Sequence, residues 1–279
     1  MSGKVLVLGA TGTVGKHIVE GLLAKGEAVK AASRSGKPLD GAEGVAFDYS
    51  KPETFGPALD GVDRAFVLLA TGHVDAIGSL LPVIEAAAAR KVKVVFMSVF
   101  GVDADDSIPY RQVEIALEKS GILFVILRPN WFSDNFLTFW KPGIDHGQIA
   151  VPAGEGKTSF IDARDIAASA VAALTSSAFD GKAFNLTGPE ALSYAEAAAI
   201  LSDVLEKPVA YNAVDDAAFI AVLTGAGVPS DYATFLASIF YPVREGWTAA
   251  VTGDVETLTG KAPRSVKTYA TDYAAALKA

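Results

Sequence analysis

The chain has 279 residues, of which 51% are hydrophobic and 20% charged, so it can bury one large core or a large core with a small lobe. Its formal net charge of −8 disfavours a nucleic-acid partner, because phosphate binding requires a basic surface. The absence of cysteine excludes disulfides and thiol chemistry, and the three histidines lie far apart in the sequence, so no metal site is expected.

No apolar run in the sequence is long enough for a signal peptide or a membrane span. Residues 5–8 form a short apolar run that passes directly into a glycine-rich motif. Residues 122–127 are far fewer than a bilayer requires. We therefore expect a cytoplasmic protein that binds neither membrane nor nucleic acid. A homodimer is compatible with the sequence, which does not determine the oligomeric state.

Short apolar strands alternate with helical patterns over the first half of the chain. The predicted strands are Lys4–Leu8, Val29–Ser33, Val45–Phe47, Arg64–Leu69, Val92–Ser98 and Ile122–Arg128. The predicted helices are Val14–Lys25, Pro52–Leu59, Val74–Arg90 and Ser107–Lys119. Apolar strands separated by helices are typical of a parallel sheet covered on both faces. The predicted fold class is α/β, a Rossmann-type doubly wound parallel sheet.

The pattern changes after Pro129. An aromatic-rich stretch, Asn130–Lys141, precedes two further predicted strands, Ile149–Val151 and Ala183–Leu186. The remaining predicted helices are Asp162–Leu174, Ser193–Leu205, Asp215–Thr224, Tyr232–Phe240 and Ser265–Leu277. We predict a Rossmann domain over residues 1–155, to whose sheet a strand at 183–187 could be added. Residues 156–279 are predicted to form a smaller, mostly helical C-terminal lobe.

The motif Gly9-x-x-Gly12-x-x-Gly15 follows the first predicted strand and opens the first helix. Glycines at these positions permit a tight turn and let backbone N–H groups approach a pyrophosphate at a helix N-terminus. The strand–turn–helix context makes the motif specific for a dinucleotide. The loop residues predicted to bind the dinucleotide are Gly9, Thr11, Gly12, Thr13, Val14 and Gly15.

The end of the second strand indicates which dinucleotide is bound. In NAD-binding domains, an acidic residue about 20 residues after the last glycine binds the ribose 2′-hydroxyl. Here the segment is Ser33-Arg34-Ser35, and no acidic residue precedes Asp40. A guanidinium is well suited to a 2′-phosphate, so Ser33 and Arg34 predict NADP(H). The alternative is a solvated loop arginine.

Ligands of open parallel sheets bind beyond the carboxyl ends of the strands. Asp48, after the third strand, either accepts a hydrogen bond from the adenine amino group or forms the turn Asp48-Tyr49-Ser50. The residues predicted to bind the cofactor after the next strands are Leu69, Ala70, Thr71, Ser98, Pro129 and Asn130.

Ser98, Tyr110 and Glu114 are the candidate catalytic residues. Tyr110 follows Ser98 by twelve positions and shares a helix face with Glu114, which resembles the Ser…Tyr-x-x-x-Lys arrangement of short-chain dehydrogenases. Glu114 occupies the lysine position, and a carboxylate would raise the pKa of a phenol rather than lower it. We expect Tyr110 to be a poor general base that can donate a hydrogen bond. The alternative is an ordinary exposed helix face.

The aromatic stretch after Pro129 suggests a substrate pocket. We predict that Phe100, Trp131, Phe132 and Phe136 contact a flat apolar substrate, although any one of these rings could instead belong to the core. The sequence contains no Gly-x-Ser-x-Gly motif, which argues against a hydrolase.

Three segments together resemble the NmrA-like branch of the atypical short-chain dehydrogenases: residues 9–15, 120–135 and 185–194. Within this branch, the chain is most similar to flavin-free, type 2 NADPH:quinone oxidoreductases and to triphenylmethane-dye reductases. The resemblance implies a Rossmann domain, a small C-terminal lobe, a substrate cleft between them, and NADPH on the glycine loop with Arg34 at its 2′-phosphate. The family commonly has histidine at the position of Tyr110, followed by the acid that matches Glu114, so this chain departs from the family at Tyr110.

Two functions are compatible with the sequence. The first is an NADPH-dependent reductase that transfers hydride directly, without flavin, to an electron-poor acceptor such as a quinone, an iminium or a cationic dye. Such acceptors need little proton assistance, so positioning is the main task of the protein. The second is a non-catalytic NADP(H)-sensing regulatory protein of the NmrA type. The apolar stretch at residues 130–140 favours the reductase, because it supplies a pocket.

Overall fold

The computed structural model describes residues 3–278. The strands found there are β1 (Lys4–Val7), β2 (Val29–Ser33), β3 (Glu43–Ala46), β4 (Val62–Leu68), β5 (Lys93–Met97), β6 (Phe124–Pro129), β7 (Gln148–Val151), β8 (Lys157–Thr158), β9 (Lys182–Leu186), β10 (Leu192–Ser193) and β11 (Ala210–Ala213). The helices are α1 (Gly15–Ala24), α2 (Phe55–Leu59), α3 (Ala76–Ala88), α4 (Pro109–Lys119), α5 (Lys141–Asp145), α6 (Ala163–Thr175), α7 (Tyr194–Leu205), α8 (Asp216–Gly225), α9 (Ser230–Ser238), α10 (Tyr241–Arg244), α11 (Asp254–Thr259), α12 (Val266–Asp272) and α13 (Ala274–Lys278).

Seven strands form one parallel sheet in the order β3-β2-β1-β4-β5-β6-β9. The central strands are apolar because both of their faces are covered: Val94, Val95 and Phe96 of β5 are completely buried. The reversal of strand order between β1 and β4 is the arrangement of a doubly wound sheet. The predicted Rossmann-type α/β fold is therefore confirmed.

Helices cover both faces of this sheet. On one face, α2, α3 and α4 contribute side chains to a single apolar cluster with β1, β4, β5 and β6. On the other, α6 packs on β4, β5 and β6 and also against α1. The two helices approach closely at Gly21, where an added Cβ would lie 3.0 Å from Val171.

Three buried cations lie near the amino ends of β2, β4 and β5, and we call this region the amino edge of the sheet. Lys30 donates to carbonyls at the end of α2, and Arg64 and Lys93 donate to carbonyls at the end of α6, at 2.6–3.2 Å. Arg64 also pairs with Glu27 at 2.8 Å. Cations at helix C-termini satisfy the last carbonyls and oppose the negative end of the helix dipole. The amino edge is thus internally paired.

The chain divides into two compact units, each built from separate segments. Unit 1 comprises the described residues up to Pro129, together with Ala163–Leu186 and Asp254–Lys261. Unit 2 comprises Asn130–Asp162, Thr187–Gly253 and the described residues from Ala262 onward. This division differs from the predicted boundary after residue 155, because β6 ends at Pro129 and α6 packs on the sheet. The strand β9 pairs with β6, in agreement with the proposed addition of residues 183–187.

Unit 2 has its own aromatic-rich core and is mostly helical. Two small sheets, β7 with β11 and β8 with β10, complete it. A capping box opens α7: the Glu196 N–H donates to Ser193 Oγ at 3.1 Å, and the Ser193 N–H donates to Glu196 Oε2 at 2.7 Å. The predicted helix Ser265–Leu277 is interrupted at Tyr273, whose backbone leaves the helical region at φ −104° and ψ 15°. Within residues 3–278, no helix is long and apolar enough to cross a membrane.

Candidate functional site

The loop between β1 and α1 is shaped by its glycines. Gly9 adopts φ +65°, and its carbonyl accepts a hydrogen bond from the Gly12 N–H at 2.9 Å. At Gly15, an added Cβ would lie 2.0 Å from the Gly9 oxygen, so only glycine fits. At Gly12, which is exposed, the corresponding distance is 3.2 Å. The fold therefore requires Gly9 and Gly15, whereas Gly12 leaves the outer surface of the loop open to a close ligand.

Backbone donors collect at this loop without protein acceptors. Among the described residues, the N–H groups of Thr11, Thr13, Val14 and Gly15 donate to no backbone or side-chain oxygen. Helix α1 has no side-chain cap and no acidic residue in its first turn, so the positive end of its dipole is not neutralised. Free donors at a helix N-terminus suit a diphosphate. The loop therefore fits the pyrophosphate of the predicted dinucleotide.

Arg34 directly follows β2 and is exposed, next to the half-buried Ser33. Within residues 3–278, its guanidinium forms no ion pair or hydrogen bond, although it is close enough to Asp48 to help lower the pKa of that carboxyl. Arg34 is thus available to a ligand phosphate beyond the end of β2. Its contact with a 2′-phosphate stays a prediction.

Asp48 forms the turn Asp48-Tyr49-Ser50, which was one of the two alternatives predicted for it. Its Oδ1 accepts hydrogen bonds from the Ser50 hydroxyl at 2.7 Å and from the Ser50 N–H at 2.9 Å, and these bonds lower the pKa of Asp48. This Asx-type turn fixes the backbone after β3. An adenine contact through the other carboxylate oxygen stays a prediction.

The carboxyl ends of the parallel strands meet at one edge of the sheet, which we call the carboxyl edge. It comprises Gly9, Arg34, Asp48, Leu69 and Ser98 with their neighbours in unit 1. Leu69 and Ala70 are half-buried and Thr71 is exposed, so the segment after β4 is partly open to solvent. Pro129 closes β6 and accepts a hydrogen bond from the Phe100 N–H at 3.1 Å, which ties the loop after β5 to the sheet.

Glu114 is completely buried, which argues against its predicted catalytic role. Arg128 Nε donates to one carboxylate oxygen at 2.9 Å and Arg128 Nη2 to the other at 2.7 Å, while Arg111 donates at 2.9 Å. Burial alone would raise the pKa of Glu114, but the Arg128 hydrogen bonds, and after them the nearby Ser98 hydroxyl and Arg111, lower it. A carboxylate held in this way has its hydrogen-bonding capacity engaged by the protein. The alternative of an exposed helix face is contradicted for Glu114 by its burial.

Tyr110 is half-buried on α4, with its ring stacked on Phe96 at a centroid distance of 6.3 Å. Burial raises the pKa of Tyr110 to about 12. The upward direction of this pKa shift agrees with the expectation from the sequence. Its cause is desolvation rather than the carboxylate of Glu114, which the arginines neutralise. At neutral pH Tyr110 is a phenol that can donate a hydrogen bond and cannot act as a base.

Ser98 completes the candidate catalytic set. It follows β5, is 2% exposed, and its Oγ has no partner with hydrogen-bonding geometry among the described residues. An unsatisfied buried hydroxyl is costly and is often found at functional sites. Ser98 and Tyr110 are therefore the members of the predicted set whose hydroxyls form no hydrogen bond among the described residues. A catalytic or cofactor role for Ser98 stays a prediction.

Two residues predicted to contact ligands, Asn130 and Phe136, are engaged within unit 2 itself. The Asn130 amide donates to Ser159 Oγ and to the Thr248 carbonyl, both at 2.8 Å, and its oxygen accepts from the Trp131 N–H at 2.9 Å. A cofactor contact through this fully engaged side chain would break existing bonds. Phe136 is completely buried in the unit 2 core, so it is a core residue and not a substrate contact.

The remaining predicted substrate residues stay accessible. Phe100 and Phe132 are half-buried, and Trp131 is half-buried on the wall of a cavity in unit 2. The sequence pattern did not reveal this cavity, because its other walls come from α8, α9 and the segment after α9. It also missed Arg128, although an arginine between Leu127 and Pro129 in an apolar strand requires a buried carboxylate nearby.

A doubly wound sheet that presents an uncapped helix N-terminus behind a three-glycine loop defines a Rossmann protein of the dinucleotide-binding class. The chain belongs to the NmrA-like family, whose model matches residues 1–268. This confirms the resemblance inferred from the sequence.

Relatives and structural neighbours define the class more closely. The chain is 33% identical over 286 residues to an NAD(P)H azoreductase of Xenophilus azovorans, with 99% of each chain covered. Its structure matches that of an NADPH-dependent quinone oxidoreductase of Escherichia coli in complex with NADPH, with a TM-score of 0.83, 25% identity, and 96% and 99% of the two chains covered. The triphenylmethane reductase of Citrobacter sp. shares the fold, with a TM-score of 0.83 at 24% identity over 97% and 99% of the chains. The chain is an oxidoreductase of this family.

Proposed function

We propose that this protein is an NADPH-dependent reductase that transfers hydride directly to an electron-poor acceptor, with a quinone as the reference substrate. The free N–H groups of the glycine loop would hold the pyrophosphate, and Arg34 would pair with the 2′-phosphate. The named activities of the azoreductase and quinone oxidoreductase relatives support this proposal.

The observation that carries the proposal is the state of Glu114. At this position a short-chain dehydrogenase would need a lysine to make the tyrosine acidic, but here a carboxylate is locked against Arg128. Tyr110 keeps its proton because burial raises its pKa to about 12. A site without a proton-transfer pair suits acceptors whose reduction is driven by hydride addition.

The contribution of the chain is then binding and orientation. When bound, NADPH supplies a hydride, which together with one solvent proton converts a quinone to a hydroquinone and leaves NADP⁺. The Ser98 hydroxyl and the Tyr110 phenol are the polar side chains left to donate hydrogen bonds near the end of β5. Holding two reactants in the correct orientation can supply a large part of the rate enhancement.

The test is steady-state oxidation of NADPH by purified protein without added flavin. Quinones, azo dyes, iminium compounds and triarylmethane dyes are compared, and NADH serves as the matched cofactor control. We expect turnover with at least one quinone and a clear preference for NADPH. Turnover that appears only after flavin is added, or NADPH binding without oxidation by any acceptor, would overturn the proposal.

A further inference from the structure

Unit 2 contains an apolar cavity of about 190 Å³ that is partly open to solvent and that the fold of the Rossmann sheet does not require. Its walls come from the segment between β6 and α5, from α8, and from α9 with the residues after it. Within the described chain, its lining contains no ionisable side chain. The cavity therefore offers ring faces and aliphatic surface to an uncharged ligand.

Stacked rings form one wall of the cavity. Trp131 lies nearly parallel to Trp140 at a centroid distance of 6.0 Å and contacts Phe240 at 4.7 Å, and Phe240 in turn contacts Phe219 of α8 at 5.5 Å. Aromatic faces prefer offset-stacked or edge-to-face partners. A flat aromatic ligand would continue this arrangement and would bury its faces against rings already held in place.

Asn135 supplies a polar group at this apolar lining. Its backbone carbonyl accepts hydrogen bonds from the N–H groups of Thr138 and Trp140, but no hydrogen bond within residues 3–278 uses its side-chain amide. A side-chain amide provides two donors and one acceptor. In an apolar pocket, a single placed polar group of this kind fixes the orientation of a ligand.

Size and charge restrict the ligand further. An apolar cavity of about 150 Å³ is sufficient to bind benzene, whereas drug-sized ligands occupy pockets of about 300–1,000 Å³. The volume of about 190 Å³ therefore matches one ring or two fused rings, and a dye with three aryl groups would extend beyond it into solvent. The lining holds no carboxylate, so a cation would meet only ring faces, whereas a neutral carbonyl compound meets both the ring faces and the Asn135 amide.

We propose that this cavity binds a neutral, flat acceptor of one or two fused rings that carries a carbonyl oxygen, to which the Asn135 amide donates. The proposal rests on the reductase function proposed above and narrows its acceptors to small quinone-like compounds in preference to triarylmethane cations. On α8, Leu223 lines the cavity and can fill it when enlarged, while the neighbouring Val222 is 66% exposed and provides a matched control.

Tryptophan fluorescence tests binding without cofactor. The chain has three tryptophans, of which Trp131 and Trp140 line the cavity and Trp247 is 60% exposed, so Trp247→Phe gives a background in which the signal comes from the cavity. We expect 1,4-naphthoquinone to quench this signal saturably. Malachite green, a cationic triarylmethane dye, should compete at least tenfold more weakly. Absence of saturable quenching, or equal competition by malachite green, would overturn the proposal.

Two variants of the lining separate filling from hydrogen bonding. Leu223→Phe should raise the Kd for 1,4-naphthoquinone at least tenfold, while Val222→Phe on the exposed face should leave it unchanged. Asn135→Leu keeps the size of the side chain and should raise the Kd about two- to tenfold, as expected for one neutral hydrogen bond. Equal Kd values in all three variants would contradict the assignment.

Kinetics distinguish failure of this inference from failure of the reductase function. If the wild-type protein reduces 1,4-naphthoquinone, and Leu223→Phe raises the KM for this quinone as much as the Kd, both proposals stand. If the Leu223→Phe variant reduces 1,4-naphthoquinone with an unchanged KM, the cavity is not the acceptor site, although the protein is a reductase. If the cavity binds the probe but no acceptor oxidises NADPH, the reductase function fails, and the role of the cavity as an acceptor site fails with it.

Discussion

At the amino edge of the sheet, Lys30, Arg64 and Lys93 are buried and donate to carbonyls at the ends of α2 and α6. The carboxyl edge of the same sheet leaves the N–H groups of the glycine loop, the Arg34 guanidinium and the Ser98 hydroxyl without partners in the described chain. The same strands run to both edges, so the difference arises from the loops and helix ends that each edge meets.

The comparison separates two uses of polar groups. A buried group that is paired within the protein contributes to stability, and its loss exposes an uncompensated partner. A polar group that is left unpaired gains its partner only when a ligand arrives. We therefore expect variants at the amino edge to change the free energy of unfolding, and variants at the carboxyl edge to change ligand affinity.

Glu114 provides the most severe test, because it lies near the carboxyl edge but is paired like an amino-edge group. Glu114→Gln leaves Arg128 buried with a weaker partner and should lower the free energy of unfolding by about 3–5 kcal/mol. The pKa of Glu114 is lowered in the fold, so this contribution is complete above the ordinary carboxyl value of 4.5 and is lost as pH falls through the folded pKa.

Urea unfolding at neutral and acidic pH measures this effect. The matched control is Glu118→Gln, which removes a half-exposed partner of Arg111 and should cost less than about 1 kcal/mol. A Glu114→Gln protein of unchanged stability that has lost its kcat would show that Glu114 belongs with the ligand-binding groups after all.

Arg34→Ala tests the carboxyl edge of the sheet, where we expect a loss of ligand affinity without a loss of stability. Removal of an unpaired guanidinium should leave the unfolding midpoint unchanged and weaken NADPH binding by about 1.5–3 kcal/mol, or roughly ten- to a hundredfold, because a charge-assisted contact to the 2′-phosphate is lost. NADH affinity, measured by the same fluorescence titration, should change little. Lys25→Ala, at an exposed site after α1, is the control. Equal losses for both cofactors would contradict the role of Arg34.

The glycine loop allows a requirement of the fold and a requirement of ligand binding to be separated within one motif. Gly15→Ala places a Cβ 2.0 Å from the Gly9 oxygen and should cost about 1–3 kcal/mol of stability as well as NADPH affinity. Gly12→Ala meets the same oxygen at only 3.2 Å, so it should remain folded and lose affinity alone. Thermal unfolding and NADPH titration of both variants measure the difference. Equal destabilisation by the two substitutions would mean that Gly12 is required by the fold.

Tyr110→Phe should have the smallest effect. If the acceptor needs only hydride, the phenol donates one hydrogen bond at most, and kcat on the best quinone should fall by less than about tenfold. Because burial raises the pKa of Tyr110 to about 12, wild-type kcat should also show no step from this group between pH 6 and pH 10. A loss of more than about a hundredfold at saturating NADPH would identify Tyr110 as a proton donor and point to ordinary carbonyl substrates.

Local signals account for the parts of the molecule that the sequence predicted correctly. The limits of β2 agree at both ends, because an apolar run is bounded by polar turns, and the glycine loop was located because its spacing reflects a steric requirement at Gly9 and Gly15. The addition of β9 to the sheet followed from its short apolar pattern.

The features that the sequence did not reveal have a different origin, since they depend on which segments meet in space. Glu114 and Arg128 are 14 positions apart and pair only because α4 packs beside β6. Phe136 and Trp131 belong to one aromatic stretch, yet one lies in the core and the other on a cavity wall, depending on distant helices. Periodicity does not distinguish such rings.

The discontinuous composition of unit 1 has a consequence for its synthesis. Its last sheet strand, β9, is translated more than 50 residues after β6, so a nascent chain that has reached residue 160 carries β6 as an open edge without the α6 layer that covers β4, β5 and β6. Exposed strand edges and apolar faces promote aggregation. A fragment that ends at residue 155 should therefore be poorly soluble, and in the growing chain the sheet is completed only after α6 and β9 have left the ribosome.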